Sequence, residues 1–553
     1  MFPEAMPRTA KNVLFIMCDQ LRFDYLSCAG HPTLKTPNID GLAKRGVRFT
    51  RAYVQSPICG PSRMSFYTGR YMQSHGSNWN GIPLNVGEMT MGDYYRALGV
   101  RTALVGKTHM TADKEGMERL GVDPKSIIGV RVSECGFEPF ERDDGLHGKG
   151  PEGGYVQDSP PRYNKWLNEK GYGGSNPWHD WANAAQGESN RLASGWAMKN
   201  ARKPARVKEE DSETPYMTRR GIDFIREAGE EPWCLHLSYI KPHWPYIAPA
   251  PYNDMYSARD VIPVVRSEDE RKNPHPVIKA FHNHIISNSF SRDEVREEVI
   301  PVYMGLIKQI DDQMGVLFRY LEDNGYFKNT MIVFTSDHGD YLGDHWLGEK
   351  ELFHEPSVKI PLIIYDPSDA ANGTRGTTCD ELVEGIDLAP TFLDVFGGDP
   401  AQQSHRLEGR SLLPLIQGRK PGTWRNYVVS EYDYSIQYGA AFDTAPSDQR
   451  LFMVADKDWK FVHAIGYRPM LFDLKKDPQE LHDLGADPKH EDVRRKYAAL
   501  LSEWGLRQSQ RVTRSEQQVR GMRGRAAKRG ILIGVWDESD VPDEYWVGYL
   551  GDK

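Results

Sequence analysis

Short apolar runs that stop abruptly in polar residues, with helical stretches between them, constrain this chain more than any other feature. Residues 13–17 (VLFIM) are the first such run and predict a buried strand. Residues 38–46 (NIDGLAKRG) and 88–99 each read as a helix closed by a glycine, Gly46 and Gly99. Residues 102–105 predict a strand, and 232–239 (PWCLHLSY) another. Over residues 294–325, Val299, Val302, Leu306, Ile310, Met314 and Leu317 recur on one helical face, with Gly325 as the stop. The run TMIVFT at 330–335 follows as a strand. This alternation predicts an α/β fold, a large mostly parallel central sheet flanked by helices on both faces. Ligands of such sheets bind at the strand ends.

Two stretches break the pattern. Residues 111–220 are rich in Gly, Asn, Trp and charge, with weak periodicity, and read as a long insertion that could wall a substrate pocket. Beyond about residue 425, three short runs at 451–455, 459–464 and 470–474 lie close together, which suits a smaller antiparallel sheet, with a helix near 489–505. The expected division is a catalytic domain over 1–425, a C-terminal subdomain over 426–510 and a tail over 511–553. From 511 to 529 the tail carries seven Arg and Lys against one acid, Glu516. It reads either as a solvated arm or as an oligomerisation arm. Trp536, Tyr545, Trp546 and Tyr549 among acids favour docking on a neighbour. A homo-oligomer is therefore expected.

The 553 residues can bury a large core, and 39% hydrophobic with 26% charged residues is the balance of a soluble globular protein. A net charge of −8 argues against a general nucleic-acid binder. Six cysteines are too few for a disulfide framework. Residues 1–12 hold no apolar signal core, and 13–17 is too short to cross a membrane. The expectation is a cytoplasmic protein with no membrane or nucleic-acid partner.

Chemistry concentrates in five places. Cys59-Gly60-Pro61-Ser62-Arg63 opens a helix that Gly69 closes, which puts Cys59 at a helix N-terminus, where an anion is favoured. A lone cysteine is more often a small buried hydrophobe. Asp19-Gln20 follows the first strand, and Asp337-His338-Gly339-Asp340 follows the strand at 330–335. Each alone reads as a polar strand end. Together they bring hard oxygen ligands and one imidazole to one sheet edge, a set that suits Ca²⁺, Mn²⁺ or Mg²⁺ better than Zn²⁺. Gly106-Lys107-Thr108-His109, Lys241-Pro242-His243-Trp244-Pro245 and the segment ending in Glu349-Lys350 would each pass for surface loops if met singly.

The pentad at 59–63, with Thr68-Gly69-Arg70 behind it, resembles the signature of sulfatases in the alkaline phosphatase superfamily. The other motifs resemble that family's in the same order, from residue 19 to residue 350. Leu471-Phe472-Asp473-Leu474-Lys475-Lys476-Asp477-Pro478 resembles its C-terminal subdomain. The resemblance implies an alkaline phosphatase-like catalytic domain. It implies that a maturation enzyme oxidises Cys59 to formylglycine (3-oxoalanine), whose hydrate is the nucleophile. Asp19, Gln20, Asp337, His338 and residue 59 would hold one divalent ion, Ca²⁺ foremost and Mn²⁺ as the alternative. Gln20 replaces an acid found in many relatives and brings no charge. Lys107 and Lys350 would bind sulfate oxygens, and Arg63 would hold the diol and the metal ligands. His243, or Lys350, would protonate the leaving group, and His109 would assist breakdown of the sulfated diol. A plain thiol has no second hydroxyl, so a sulfated Cys59 could not collapse that way.

The implied activity is hydrolysis of small aryl or alkyl sulfate esters. The nearest rival is a phosphonate monoester hydrolase or phosphodiesterase of the same superfamily, and Asn80 lies where those enzymes carry a substrate-contacting Asn. They resemble Gly-Tyr-Thr-Thr where this chain has Gly106-Lys107-Thr108-His109, so Lys107 and His109 favour sulfate, with the rival activity expected at least as a side reaction. A phosphomutase or phosphatase would need Ser or Thr at position 59. A non-catalytic scaffold would have lost a ligand or a lysine, and none is missing. Choline sulfatases usually carry Cys-Ala-Pro-Ser-Arg, which ranks them lower.

Overall fold

The computed structural model describes residues 7–145, 162–507 and 512–546. Its strands are β1 (Asn12–Asp19), β2 (Val47–Tyr53), β3 (Arg101–Gly106), β4 (Glu138–Arg142), β5 (Ala184–Gln186), β6 (Leu192–Ser194), β7 (Trp233–Pro242), β8 (Thr330–Ser336), β9 (Lys359–Tyr365), β10 (Thr377–Cys379), β11 (Val383–Glu384), β12 (Val428–Asp433), β13 (Arg450–Ala455), β14 (Trp459–Ala464) and β15 (Met470–Asp473). The large sheet runs β10-β2-β9-β8-β1-β7-β3-β4, with β11 also pairing β2. Every pairing in it is parallel except those of β9, which runs against both β2 and β8. The expected mostly parallel α/β sheet is thus present.

The central strands explain themselves. β1 lies between β7 and β8, with Val13 opposite both Cys234 and Met331. Val13, Phe15 and Met17 point into one core with Phe66 and Phe392. Leu14, Ile16 and Cys18 point into the other, with Leu306 and Ile310. A strand covered on both faces reads as an unbroken apolar run. The helix Asp293–Asp323 buries the periodic face read from the sequence, each of its six residues at most 1% exposed. Each such side chain contributes about 1.5–3 kcal/mol on burial. The helix Cys59–Thr68 lies on the opposite side of the sheet and is buried along its whole length.

Eight strands of the described residues escape the sequence pattern, including β2, β4, β9 and β12. β4 (EPFER) is a charged edge strand from within 111–220, and the helix Glu213–Ala228 also starts there, so this stretch is joined to the sheet. β2 (VRFTRAY) alternates apolar and polar residues only over its first four positions. β12 (VVSEYD) opens the small sheet. β9 carries Pro361, which ordinarily argues against an inner strand. Pro361 falls where the β2 register shifts between Phe49 and Ala52 and beyond the last β8 partner, Leu362. Its carbonyl accepts from Thr335 Oγ1 at 2.7 Å.

The small antiparallel sheet, β12-β13-β14-β15, packs Val429, Val454, Phe461 and Leu471 against Tyr497 and Trp504 of the helix Glu491–Leu506. In the tail, Ile533 and Trp536 are exposed. Arg511 and Tyr549, and residues 146–161 of the 111–220 stretch, lie outside the described residues. No helix among the described residues is long and apolar enough to cross a membrane.

Candidate active site

Parallel strands deliver their C-terminal ends to one edge, and the motif residues are there. Asp19 ends β1, Lys107 follows β3, His243 follows β7, and Asp337 and His338 follow β8. Because β9 runs the other way, the segment before it, with Lys350, reaches the same edge. The geometry groups Cys59, Arg63, Lys107, His109, His243 and Lys350 around Asp19, Asp337 and His338.

Cys59 is the first residue of its helix. Pro61 sits in the first turn, where a missing N–H breaks no helical bond. Gly69 closes the helix at φ +68, in the left-handed region. Asn80 Oδ1 accepts the Gly60 N–H at 2.7 Å, and a Cβ at Gly60 would stand 2.7 Å from that oxygen. Asn80 thus supplies the start of the helix with the cap that Ile58 lacks. One turn on, Arg63 is fully buried. Its Nε donates to Asp337 Oδ2 at 2.8 Å and Nη2 to Asp19 Oδ2 at 3.2 Å. Nη1 donates to the Lys107 carbonyl at 2.7 Å and to Ser238 Oγ at 2.8 Å.

Asp19, Cys59, Asp337 and His338 bring their ligand atoms within 4.8 Å of one another, all buried. Cys59 Sγ is 3.0 Å from His338 Nε2 and 3.7 Å from Asp19 Oδ1. His338 Nδ1 meets the Gly339 carbonyl at 2.9 Å. A carbonyl only accepts, so Nδ1 carries the proton and Nε2 faces the cluster, the arrangement of a metal-ligating imidazole. Burial alone would push His338 down, but Asp337 and Cys59 outweigh it and hold it up at about 9. That is the pull of this cup on any cation. Burial likewise pushes the Cys59 thiol up, but Lys107, Lys350 and His338 hold it well below its ordinary value. The donor set of two carboxylates and one imidazole fits a divalent ion.

Gln20 is placed differently from the carboxylates. Its Nε2 donates to Asp340 Oδ2 at 2.5 Å, and its Oε1 accepts from Lys350 Nζ at 3.2 Å. Tyr246 OH also donates to Asp340 Oδ2, at 2.5 Å, and Tyr303 OH donates to the Gln20 carbonyl at 2.7 Å. The Gln20 amide oxygen therefore faces Lys350, and its amide nitrogen is held by Asp340.

On the outer side, Lys107 Nζ lies 2.5 Å from Asp19 Oδ2. Lys350 Nζ lies 3.0 Å from His243 Nε2. His243 Nδ1 donates to the Trp244 carbonyl at 2.7 Å, which leaves Nε2 as the acceptor for Lys350. Burial, with Lys350 beside it, lowers the pKa of His243 and keeps it neutral. Asp19 Oδ1 is 4.0 Å from the same nitrogen. The His109 ring hydrogen-bonds toward Cys59, and its Nδ1 is buried with no partner among the described residues.

Two positioning groups had no signal in the sequence. Asp144 Oδ1 accepts the Thr108 and His109 N–H groups, both at 3.0 Å, so it shapes the turn that carries Lys107 and His109. Asp340, read only as part of a turn motif, fixes Gln20. Asp144 lies two residues past β4 and Asp340 four past β8, so neither stands at the strand end itself.

Comparison with known proteins gives the family. The sulfatase family profile matches residues 11–129 and 142–398, and a profile described as N-sulphoglucosamine sulphohydrolase, C-terminal, matches 343–506. A multifunctional alkaline phosphatase superfamily protein, PehA, from Trinickia caryophylli is 32% identical over 532 residues, covering 91% of this chain and 97% of that protein. An arylsulfatase of Clostridium perfringens is 29% identical over 484 residues, covering 86% and 90%. The crystal structure of the phosphonate monoester hydrolase of Agrobacterium radiobacter superposes with a TM-score of 0.77 at 28% identity, over 91% of this chain and 97% of that one. With the profile spanning most of the chain and its relatives matched nearly end to end, this protein belongs to the sulfatase family of hydrolases.

Proposed function

We propose that the protein hydrolyses small sulfate monoesters, aryl or alkyl, from a formylglycine made from Cys59 by a maturation enzyme. One observation carries the reading: the residue 59 side chain lies between an acidic cup and two buried lysines, Lys107 and Lys350. Asp19, Asp337, His338 and residue 59, with Gln20 alongside, would hold the divalent ion, Ca²⁺ foremost and Mn²⁺ as the alternative. When bound, that ion would supply positive charge that lowers the proton affinity of the nucleophile.

The chain's own residues do the rest. Arg63 fixes Asp19 and Asp337 at one spacing. Lys107 and Lys350 hold the non-bridging oxygens where charge develops. Lys350, with the His243 imidazole against it, holds the proton for the departing oxygen. His109 takes a proton through the ring nitrogen that faces residue 59 when the sulfated hydrate breaks down.

A second reading, phosphonate monoester or phosphodiester hydrolysis, is favoured by the likeness to a phosphonate monoester hydrolase. Lys107 and His109 support sulfate. The deciding experiment has two parts. Mass analysis of the tryptic peptide 52–63, with a carbonyl-reactive probe, is expected to show a lighter, probe-reactive residue 59. Full activity with an unmodified thiol would end the formylglycine mechanism. Steady-state assays on matched aryl sulfate and aryl phosphonate esters are expected to give higher kcat/KM on sulfate, and the reverse order would transfer the assignment to the second reading.

A further inference from the structure

The loop that delivers Lys350 is the most irregular backbone near Cys59. Leu342, His345, Trp346, Glu349 and Glu351 are all non-glycine residues with φ between +50° and +87°. Such conformations are rare for residues with a Cβ and persist where surrounding structure holds them, often at functional sites. At Glu349, with φ +66°, a glycine would relieve the backbone. Yet the position holds a carboxylate only 5% exposed.

Glu349 Oε1 accepts the Trp244 Nε1–H at 2.9 Å and lies 3.3 Å from Lys350 Nζ. The Glu349 carbonyl accepts the Tyr341 N–H at 2.6 Å, which closes the loop on itself. Trp244 in turn fixes His243 twice. Its ring stacks on the imidazole at 4.7 Å, and its carbonyl accepts from Nδ1. One carboxylate oxygen therefore restrains both members of the Lys350–His243 pair, the first directly and the second through an indole.

We propose that Glu349 is a positioning residue for departure of the ester's organic group, holding Lys350 and Trp244 so that the amine and the His243 imidazole face the same side of residue 59. This rests on the reading above, in which Lys350 and His243 serve the leaving group. The strained backbone at Glu349 is retained because a glycine would lose the carboxylate that joins the two.

The test uses the full-length matured protein and a series of aryl sulfates whose phenols span weak to strong acids. Glu349→Gly and Glu349→Ala are expected to lower kcat about 10–100-fold on the least acidic phenols and less than about threefold on the most acidic, with KM little changed. Glu349→Gln keeps an acceptor for the indole and is expected to recover most of the loss. Melting temperatures of Glu349→Gly at or above the parent's would separate positioning from folding. Lys350→Ala is the reference. If it shows the leaving-group dependence and Glu349→Ala loses activity equally on all phenols, or not at all, the proposal is overturned and the reading of Lys350 stands. If Lys350→Ala shows no such dependence, that reading fails and the proposal falls with it.

Discussion

Arg63 and Lys460 are both buried cations set between two carboxylates, and the contrast between them separates a closed cluster from one with oxygens turned to a common centre. Arg63 bridges Asp19 and Asp337 at the sheet edge. Lys460 of β14 bridges Glu355, just before β9, and Glu480, at 3.0 and 2.6 Å. Around Lys460 the remaining oxygens are taken. Glu355 Oε2 accepts from Tyr53 OH at 3.2 Å and meets Lys359 Nζ at 3.2 Å, while Glu480 Oε2 accepts the Glu355 N–H at 2.7 Å. Lys460 also donates to the Phe353 carbonyl at 2.8 Å. That cluster is closed, and it ties the small sheet to the large one. Around Arg63, Asp19 Oδ1 and Asp337 Oδ1 instead turn toward His338 Nε2, at 3.7 and 3.8 Å, and of the two only Asp337 Oδ1 accepts a backbone N–H, from Gln20 at 3.1 Å. A buried acid whose second oxygen faces an imidazole and a thiol is set up to receive something.

The largest effect that would break this contrast is at Asp337. Asp337→Asn is expected to lower kcat/KM on the order of 10³-fold and to remove bound metal, measured per chain by elemental analysis. Chelation of the parent protein should do the same, reversed by Ca²⁺ or Mn²⁺. Retained metal and activity in Asp337→Asn would make the cup a closed cluster like the other.

At Lys460 the expected loss is stability. Lys460→Met leaves two carboxylates without their cation and is expected to cost about 3–5 kcal/mol in denaturant unfolding, while the folded variant keeps its metal. The pH dependence sharpens this. Burial alone would raise Glu355, but Lys460 and Lys359 outweigh it and hold it at about 2. A carboxyl depressed on folding adds stability that is complete above its unfolded value near 4.5 and lost as pH falls toward 2. Burial pushes Glu480 the other way, up from its ordinary value, so the acid-side loss is carried by Glu355. Stability of the parent should therefore fall between about pH 4.5 and 2, and the slope should flatten in Lys460→Met.

The smallest effect is at Asn80. Asn80→Ala removes the acceptor for the Gly60 N–H and is expected to cost about 1 kcal/mol of stability, the scale of a helix cap, read by thermal unfolding. A large KM increase with no change in stability would assign Asn80 to substrate alone.

Much of this site was legible because chemistry-bearing residues follow strands that stop abruptly. Asp19, Lys107, His243 and Asp337 all obey that rule, and the helix that opens at Cys59 is bounded by its own Pro61 and Gly69. What was not legible lacks a local period. β4 is an edge strand with charges at three of its five positions, so Asp144 behind it looked like one more acid in a polar stretch. β9 was hidden by Pro361, and with it the chain reversal that brings Lys350 to the edge. Glu349 gives no sign in sequence of its positive φ. Its partner Trp244 is 105 residues away, a contact that only the folded sheet creates.

The four groups that Arg63 gathers also set an order of events during synthesis. They come from the ends of β1, β3 and β8 and the middle of β7, and the last of them, Asp337, is made 274 residues after Arg63. Until that strand leaves the ribosome, the helix that starts at Cys59 has nothing complete to lock onto. In the finished fold Cys59 is 1% exposed. On the proposed formylglycine reading, the interval between the two is the window in which a maturation enzyme would reach that thiol, and its length is written into the order of the strands.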